Sequence, residues 1–160
     1  MTPTEATVVC RAMRPDEMQE VSRVILGSFE EFIAPESTEH GREEFRRYVE
    51  PTALAQRIRA DHFILVADVD GRIGGMIEVR QNNHIALLFV DKRVQHRGVA
   101  RELMHQALET ARSRRPGLER VTVNSSRFAV PMYEKLGFLQ TGPEREVNGI
   151  VFIPMARRIV

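Results

Sequence analysis

The most informative change in the hydrophobic pattern runs from residue 85 to residue 111. Residues Ile85–Val90 are apolar without interruption, which is typical of a buried strand. A short charged loop follows over residues 91–97, and Gly98 comes next. From Ala100 onwards the apolar residues recur every three or four positions, so the pattern predicts an amphipathic helix. This stretch therefore predicts a strand, a charged loop and a helix in succession.

The pattern before this stretch predicts one strand, then helices. Residues Val8–Met13 predict the strand, and a proline with two acidic residues marks the start of a helix that continues to about Glu31. A proline-containing break follows at residues 34–37. Residues 43–60 predict one helix or two, with Pro51 at the start of the second piece.

Three antiparallel strands are predicted next. Residues Phe63–Val69 and Arg72–Arg80 are joined by the turn dipeptide Asp70–Gly71, and His84–Val90 returns as the third strand. Within the second of these strands, Gly74–Gly75 predicts a bulge or a close approach of two backbones.

After the amphipathic helix, Val121–Asn124 predicts a strand parallel to the one that starts at Ile85, because a helix crosses between them. Residues Ala129–Leu136 predict a short helix, and Phe138–Thr141 and Ile150–Ile159 predict two last strands. The pattern therefore predicts a mixed α/β (α+β) domain with a central, partly parallel sheet.

Composition supports a single folded domain over residues 1–160. Hydrophobic residues make up 42% and charged residues 28% of the chain, which argues against disorder. The formal net charge of +1 gives no reason to expect nucleic-acid binding. No apolar run approaches the roughly 20 residues of a membrane helix, and the N-terminus lacks a signal peptide's apolar segment.

The single cysteine, Cys10, cannot form an internal disulfide, which suits a reducing cytoplasm, and its apolar neighbours favour a buried structural thiol. The histidines show no metal-ligand spacing, so we expect no metal. We therefore expect a cytoplasmic protein without nucleic-acid or membrane partners.

The charged loop is rich in basic residues around Gly98. Gly98 has no Cβ and lets a backbone approach a ligand, and the N-terminus of the following helix offers free N–H groups to an anion. This predicts a site for a polyanion such as a diphosphate, with a plain strand-to-helix turn as the alternative. The basic residues are Lys92, Arg93, His96, Arg97 and Arg101.

Two motifs carry a family resemblance. Residues Gln95–Ala100 (QHRGVA) resemble the acetyl-CoA loop of the GNAT family of N-acetyltransferases, and Asn124–Phe138 (NSSRFAVPMYEKLGF) resembles a second segment of that family. The resemblance implies the GNAT fold, in which two parallel strands splay apart in a mostly antiparallel sheet. It also implies acetyl transfer from acetyl-CoA to a primary amine of a small molecule or protein by direct attack, without a covalent enzyme intermediate.

The resemblance also implies roles for individual residues. Tyr133 would be the general acid for the departing thiolate, although it could instead belong to the core. Backbone groups of the strand and loop would hold the coenzyme, with Asn124 on its pantetheine amide; Asn124 could instead cap the next turn, and His96 could be solvated. The implied coenzyme-binding residues are Leu88, Phe89, Val90, Gln95, His96, Arg97, Gly98, Val99, Ala100, Arg101 and Asn124.

The general base is less well indicated by the sequence. Glu78 is favoured, because strand alternation could point its carboxylate toward the acceptor. His84 could relay a proton near neutral pH. Glu30 and Glu31 lie near the end of the first predicted helix, which borders the acceptor in the resembled family.

Other functions and acceptors stay open at this point. A CoA-binding sensor or regulatory module without turnover is the alternative to an enzyme, whereas a nucleotide-binding domain is disfavoured because its glycine motifs are missing. The many glutamates over residues 30–44 suit a cationic amine such as a polyamine, or form a solvated helix face. A homodimer is compatible with the resemblance, although no sequence feature predicts one.

Overall fold

The computed structural model describes residues 7–159. Residues 1–6 and 160, which are part of the predicted 1–160 domain, lie outside the described residues. Residues 1–6 are also part of the N-terminal segment that was compared with a signal peptide. Within residues 7–159 the chain forms a central sheet flanked by helices on both faces.

Eight strands occur between residues 7 and 159. They are β1 (Val8–Ala12), β2 (His62–Val69), β3 (Arg72–Arg80), β4 (His84–Val90), β5 (Arg120–Ser125), β6 (Leu139–Gln140), β7 (Arg145–Val147) and β8 (Ile150–Arg158). Their order across the sheet is β1-β2-β3-β4-β5-β8-β6, with β7 paired to β8. Every pair is antiparallel except β4 with β5, whose helical crossover makes them parallel. The predicted mixed, mostly antiparallel sheet is confirmed.

Five helices accompany these strands in the described part of the chain. They are α1 (Met18–Phe32), α2 (Glu39–Tyr48), α3 (Pro51–Ile58), α4 (Val99–Arg114) and α5 (Val130–Lys135). The region left open as one helix or two forms two, because Pro51 occupies the first turn of α3, where its missing N–H costs nothing. Helix α2 begins earlier than predicted, since the Thr38 side chain caps it by accepting from the Gly41 N–H at 3.0 Å.

Strand β7 was not predicted. Its three residues are all exposed, so they lack the alternation of buried and exposed positions on which a prediction depends. The strand forms because it pairs with β8 across the tight turn at Asn148–Gly149, where both residues have positive φ.

Two bulges shape the middle of the sheet. In β3 the pairing with β2 shifts so that Gly74 is an extra residue, and a Cβ there would lie 2.9 Å from the side chains of Val69 and Val94. The predicted bulge is thereby confirmed, and a Cβ on Gly75 would lie 3.1 Å from the Phe89 carbonyl oxygen, a close approach of two backbones. In β4 the register shift leaves Ala86 as the extra residue, and β4 pairs with β5 only through His84 and Ile85. Beyond Ile85 the two parallel strands separate.

The core has two parts, one on each face of the sheet. Leu103 of α4 belongs to the first and Ile25 of α1 to the second, and both are 0% exposed. Burying one such side chain stabilises the fold by about 1.5–3 kcal/mol. Leu87 packs on the α1 side and Leu88 on the α4 side, so both faces of β4 are anchored next to the opening.

Candidate active site

A cavity of about 710 Å³ fills the opening between β4 and β5. One side of it is formed by the loop before α4, the first turn of α4, and helix α5 with its preceding loop. The other side is formed by the end of α1, Phe45 of α2 and the start of β8. The cavity therefore reaches residues on both faces of the sheet through the gap where β5 leaves β4.

The backbone of β4 presents polar groups to this gap. The Asp91 N–H donates to the Gly74 carbonyl of the β3 side at 2.7 Å. Because successive N–H groups along a strand point to opposite sides, the Phe89 N–H also faces β3, whereas those of Leu88 and Val90 face the gap. Phe89 contributes its ring to the cavity instead.

Two side chains hold the end of β4 in place. The Ser28 hydroxyl from α1 and the Gln95 side-chain amide from the loop each donate to the Val90 carbonyl at 3.3 Å. The carbonyl is thereby occupied, and the strand β5 supplies no partner for the Val90 N–H. Gln95 thus links the loop to the strand as well as lining the cavity.

The first turn of α4 faces the cavity with free N–H groups. The Glu102 N–H pairs with the Gly98 carbonyl at 3.0 Å, so the N–H groups of residues 99–101 have no carbonyl partner within the helix. Gly98 adopts φ +77° and a Cβ there would meet nothing within 4 Å. His96 also has positive φ and lines the cavity, whereas Arg97 is exposed beside it. The turn offers an open site for an anion.

The basic residues of the loop differ in their partners. Lys92 pairs with Glu31 at 2.7 Å and Arg93 with Asp91 at 3.1 Å, so their charges are largely neutralised. Arg101 lines the cavity without an acidic partner among residues 7–159. The positive charge next to the helix N-terminus therefore comes from fewer side chains than the sequence suggests.

Asn124 and Ser126 stand at the opposite wall, where β5 ends. The Asn124 side chain lines the cavity and forms no hydrogen bond to the described part of the chain. The turn that follows is capped by Ser126, whose hydroxyl accepts from the Ala129 N–H at 3.1 Å. The capping role considered for Asn124 thus belongs to Ser126, a cavity residue that the motif did not single out.

Tyr133 combines a buried ring with a place in the cavity wall. It is 4% exposed and packs edge-on against Phe138, with ring centroids 5.5 Å apart. Its hydroxyl forms no hydrogen bond with a side chain or backbone group of residues 7–159. Burial raises the pKa of the phenol well above its usual value near 10, so the hydroxyl keeps its proton at physiological pH.

Residues 33–159 match the family model described as an acetyltransferase (GNAT) domain. The chain belongs to the GNAT family of acetyltransferases. The family resemblance of the two motifs is thereby confirmed, together with the assignment of the chain as an acyl-transferring enzyme. Among curated proteins, none matches the sequence significantly.

Solved structures share the GNAT fold with this chain. A GCN5-related N-acetyltransferase from Rhodopseudomonas palustris superposes with a TM-score of 0.82 at 20% identity, covering 99% of this chain and 100% of that one. PaiA N-acetyltransferase from Thermoplasma acidophilum, solved with coenzyme A, superposes with a TM-score of 0.78 at 19% identity, covering 96% of this chain and 99% of that one. YjaB from Escherichia coli gives 0.70 at 25% identity, covering 94% and 97%.

In this GNAT chain, Glu78 lies away from the cavity. Its carboxylate is 0% exposed, on the face of β3 that packs under α3. Arg57 of α3 donates to both carboxylate oxygens, at 2.7 and 3.0 Å, and His62 Nδ1 lies 2.6 Å from one of them. The alternation that suggested a catalytic base instead points Glu78 into a buried ion-pair cluster.

The other base candidates also lie outside the cavity wall. His84 Nδ1 lies 2.8 Å from the Thr122 hydroxyl, and burial lowers the pKa of its imidazole to about 4. Glu30 pairs with Arg46, and Glu31 with a loop lysine. Their carboxylates are engaged outside the cavity, which favours a solvated helix face for this acidic segment.

Aromatic side chains are the cavity feature that sequence reasoning missed. Phe29 stacks on Phe45 with ring centroids 4.0 Å apart, and Phe89 lies 6.1 Å from Phe45. Phe32 stacks on Phe128 at 4.3 Å. Phe29 and Phe32 lie at helical spacing along α1, which predicts only the helix, and the second motif does not specify position 128. No pattern in sequence shows that these rings meet.

Three further observations concern cysteine, metals and membranes. Cys10 is half-buried, and burial raises the pKa of its thiol to about 11, as expected for an unreactive structural cysteine. Between residues 7 and 159 no group of three potential ligands could hold a metal ion. No helix of the described segment is both long and apolar enough to cross a membrane.

Proposed function

We propose that this chain transfers an acetyl group from acetyl-CoA to a primary amine by direct attack. The observation that carries the proposal is the opening between β4 and β5, which leaves the Leu88 and Val90 N–H groups without strand partners next to a free helix N-terminus. An extended polar chain ending in a diphosphate would satisfy both sets of donors. The same features are difficult to explain for a cavity that binds nothing.

The residues present suit the coenzyme. The open space over Gly98 and the free N–H groups of residues 99–101 would hold the diphosphate, with Arg101 adding charge. Backbone groups of β4 would pair with the pantetheine arm, and the unpartnered Asn124 amide would bind it from the other wall. When bound, acetyl-CoA supplies the acetyl group as a thioester.

The chain's own groups would support the transfer as follows. The amine nitrogen bonds to the acetyl carbon, the carbon–sulfur bond breaks, and the amide and the free thiol are the products. The Val90 N–H would donate to the thioester oxygen as negative charge develops there. The Tyr133 hydroxyl, which lines the cavity and has no hydrogen-bond partner within residues 7–159, would donate its proton to the departing sulfur.

We do not retain Glu78 as the base in this proposal. Its carboxylate is held by Arg57 and His62 and does not line the cavity, and within residues 7–159 no aspartate or glutamate does. The amine would enter neutral and release its proton to water after attack. The use of acetyl rather than another acyl group, the cytoplasmic location and a homodimer stay predictions from the sequence.

The test combines binding with turnover. Calorimetry is expected to show CoA binding, and thiol release with an amine panel is expected to show transfer. Tyr133→Phe should lower kcat about 100-fold, a typical effect of losing a general acid, and leave the CoA affinity unchanged. Tyr48→Phe is the matched control, because Tyr48 lies outside the cavity. Unchanged kcat in Tyr133→Phe would remove Tyr133 from the chemistry, and CoA binding without thiol release on any amine would favour a non-catalytic module.

A further inference from the structure

The side of the cavity opposite α4 is apolar and aromatic. Phe29, Phe45 and Phe89 form a continuous ring cluster there, with centroid separations of 4.0 and 6.1 Å. Phe45 comes from α2 and Phe89 from β4, so the cluster extends from the outer wall to the strand that borders the gap. Ser28 also lines this side, but its hydroxyl donates to the Val90 carbonyl, so a ligand here meets mainly ring faces and edges.

A second ring pair joins the two sides of the cavity. Phe32 at the end of α1 stacks on Phe128 of the loop before α5, at 4.3 Å and an interplanar angle of 9°. Phe128 is 52% exposed, whereas the other phenylalanines of residues 7–159 are buried or half-buried. Both residues line the cavity. The pair therefore offers a partly uncovered aromatic surface in the cavity wall.

The charges around the cavity disfavour a cationic acceptor. No carboxylate of residues 7–159 lines it, whereas Arg101 and Lys135 do. The glutamates of the nearby helices have other partners: Glu30 pairs with Arg46, and Glu36 lies 4.0 Å from Arg127. Burying an ammonium group here would cost its hydration without a compensating negative charge.

We propose that the acceptor is a small aromatic amine that binds in its neutral form, with its ring against the Phe32–Phe128 pair and its nitrogen toward the β4–β5 gap. This inference rests on the proposed function and names its substrate class. The nitrogen lone pair forms the new bond to the acetyl carbon, and the carbon–sulfur bond breaks. The amine's surplus proton goes to water, and the sulfur takes a proton from Tyr133, which solvent replaces.

If the acceptor binds only in its neutral form, amines of different pKa should differ strongly in kcat/KM. An alkylamine with a pKa near that of lysine, about 10.4, is only ~0.1% neutral at about pH 7.4. An arylamine is almost entirely neutral there. No carboxylate of residues 7–159 lines the cavity to take a proton from a cationic amine, and His96, which does line it, lies in the loop before α4. We therefore expect p-toluidine to exceed spermidine in kcat/KM by about 100-fold or more.

The experiment measures thiol release by the full chain with acetyl-CoA and three acceptors. They are p-toluidine, spermidine and a short peptide with an apolar N-terminal residue. We expect p-toluidine to give the highest kcat/KM. A higher kcat/KM with spermidine or with the peptide than with p-toluidine would overturn the inference. CoA binding without turnover of p-toluidine would overturn it as well. Acetylation of spermidine would leave the proposed function standing, whereas absence of both CoA binding and turnover would remove both.

Variants test the position of the ring. Phe128→Ala should raise the KM for p-toluidine about tenfold while changing the KM for acetyl-CoA less than twofold, and Phe128→Tyr should restore the low value because it keeps the ring. Leu139→Ala is the matched control, since Leu139 is 74% exposed and lies outside the cavity. An unchanged KM for p-toluidine in Phe128→Ala would overturn the assigned position.

Discussion

Replacing Glu78 by glutamine separates its two candidate roles, in the chemistry and in the fold. The carboxylate is fully buried, receives two hydrogen bonds from Arg57 at 2.7 and 3.0 Å, and lies 2.6 Å from His62 Nδ1. Glutamine keeps the shape of the side chain but removes the negative charge. We expect a large loss of stability and an unchanged kcat for each folded molecule.

The magnitude follows from the burial of the cluster. The Arg57 and His62 side chains are only 15% and 9% exposed, so Glu78→Gln leaves a guanidinium without its counter-charge in a region that water barely reaches. Breaking a buried ion pair from one side costs about 3–5 kcal/mol. For a domain of this size that corresponds to a decrease in Tm of about 6–20 °C.

The assay is urea unfolding, followed by thiol release on the folded fraction of each variant. Glu30→Gln is the matched control, because Glu30 receives a similar pair of bonds from Arg46 at 2.8 and 3.1 Å but is 44% exposed. Loss of this exposed ion pair should lower the free energy of unfolding by only about 0.2–1 kcal/mol. A Glu78→Gln variant with native stability and a kcat reduced about 100-fold would refute the structural role of Glu78 and support a catalytic one.

Gly41→Ala would bring a Cβ within 2.6 Å of the Gly149 carbonyl oxygen, so urea unfolding should show a loss of stability of about 1–3 kcal/mol. A Cβ at Gly27 in helix α1 would meet nothing within 4 Å, so Gly27→Ala should instead stabilise the chain by about 0.5–1 kcal/mol. Equal effects of the two substitutions would contradict this packing. Burial lowers the pKa of His84 in the folded chain from 6.5 to about 4, so the unfolded chain binds the proton first and stability should fall as the pH decreases from 6.5 to 4. The urea midpoints at about pH 7 and pH 4.5 should therefore differ less in His84→Gln than in the unchanged chain. An equal difference in both would show that His84 does not cause the loss of stability. Gly98→Ala favours negative φ in the free loop, so CoA binding would have to restore φ +77° at a cost of about 1–2 kcal/mol. Calorimetry should then show roughly tenfold weaker CoA binding, and native affinity would exclude this turn from the diphosphate site.

Much of the fold follows from contiguous residues. The bounds of β3 and β4 agree with the turn dipeptide and the apolar run that predicted them, and the crossover helix made the parallel pairing of β5 predictable. The loop before α4 was recognisable because a glycine that favours positive φ stands between a strand and a helix. Such features depend on backbone preferences and on periodicity, which neighbouring residues determine among themselves.

The sequence by itself therefore determined most of the elements, the family and the glycine-containing loop before α4. Only the tertiary structure decided that Glu78 meets Arg57 and His62 rather than the cavity, and that Phe32 of the first helix meets Phe128 beyond β5. Strand alternation gives the face on which a side chain lies, but not what packs over that face. The environment of a carboxylate or a ring is created by segments far apart in the chain, and burial and electrostatics act only after those segments have come together.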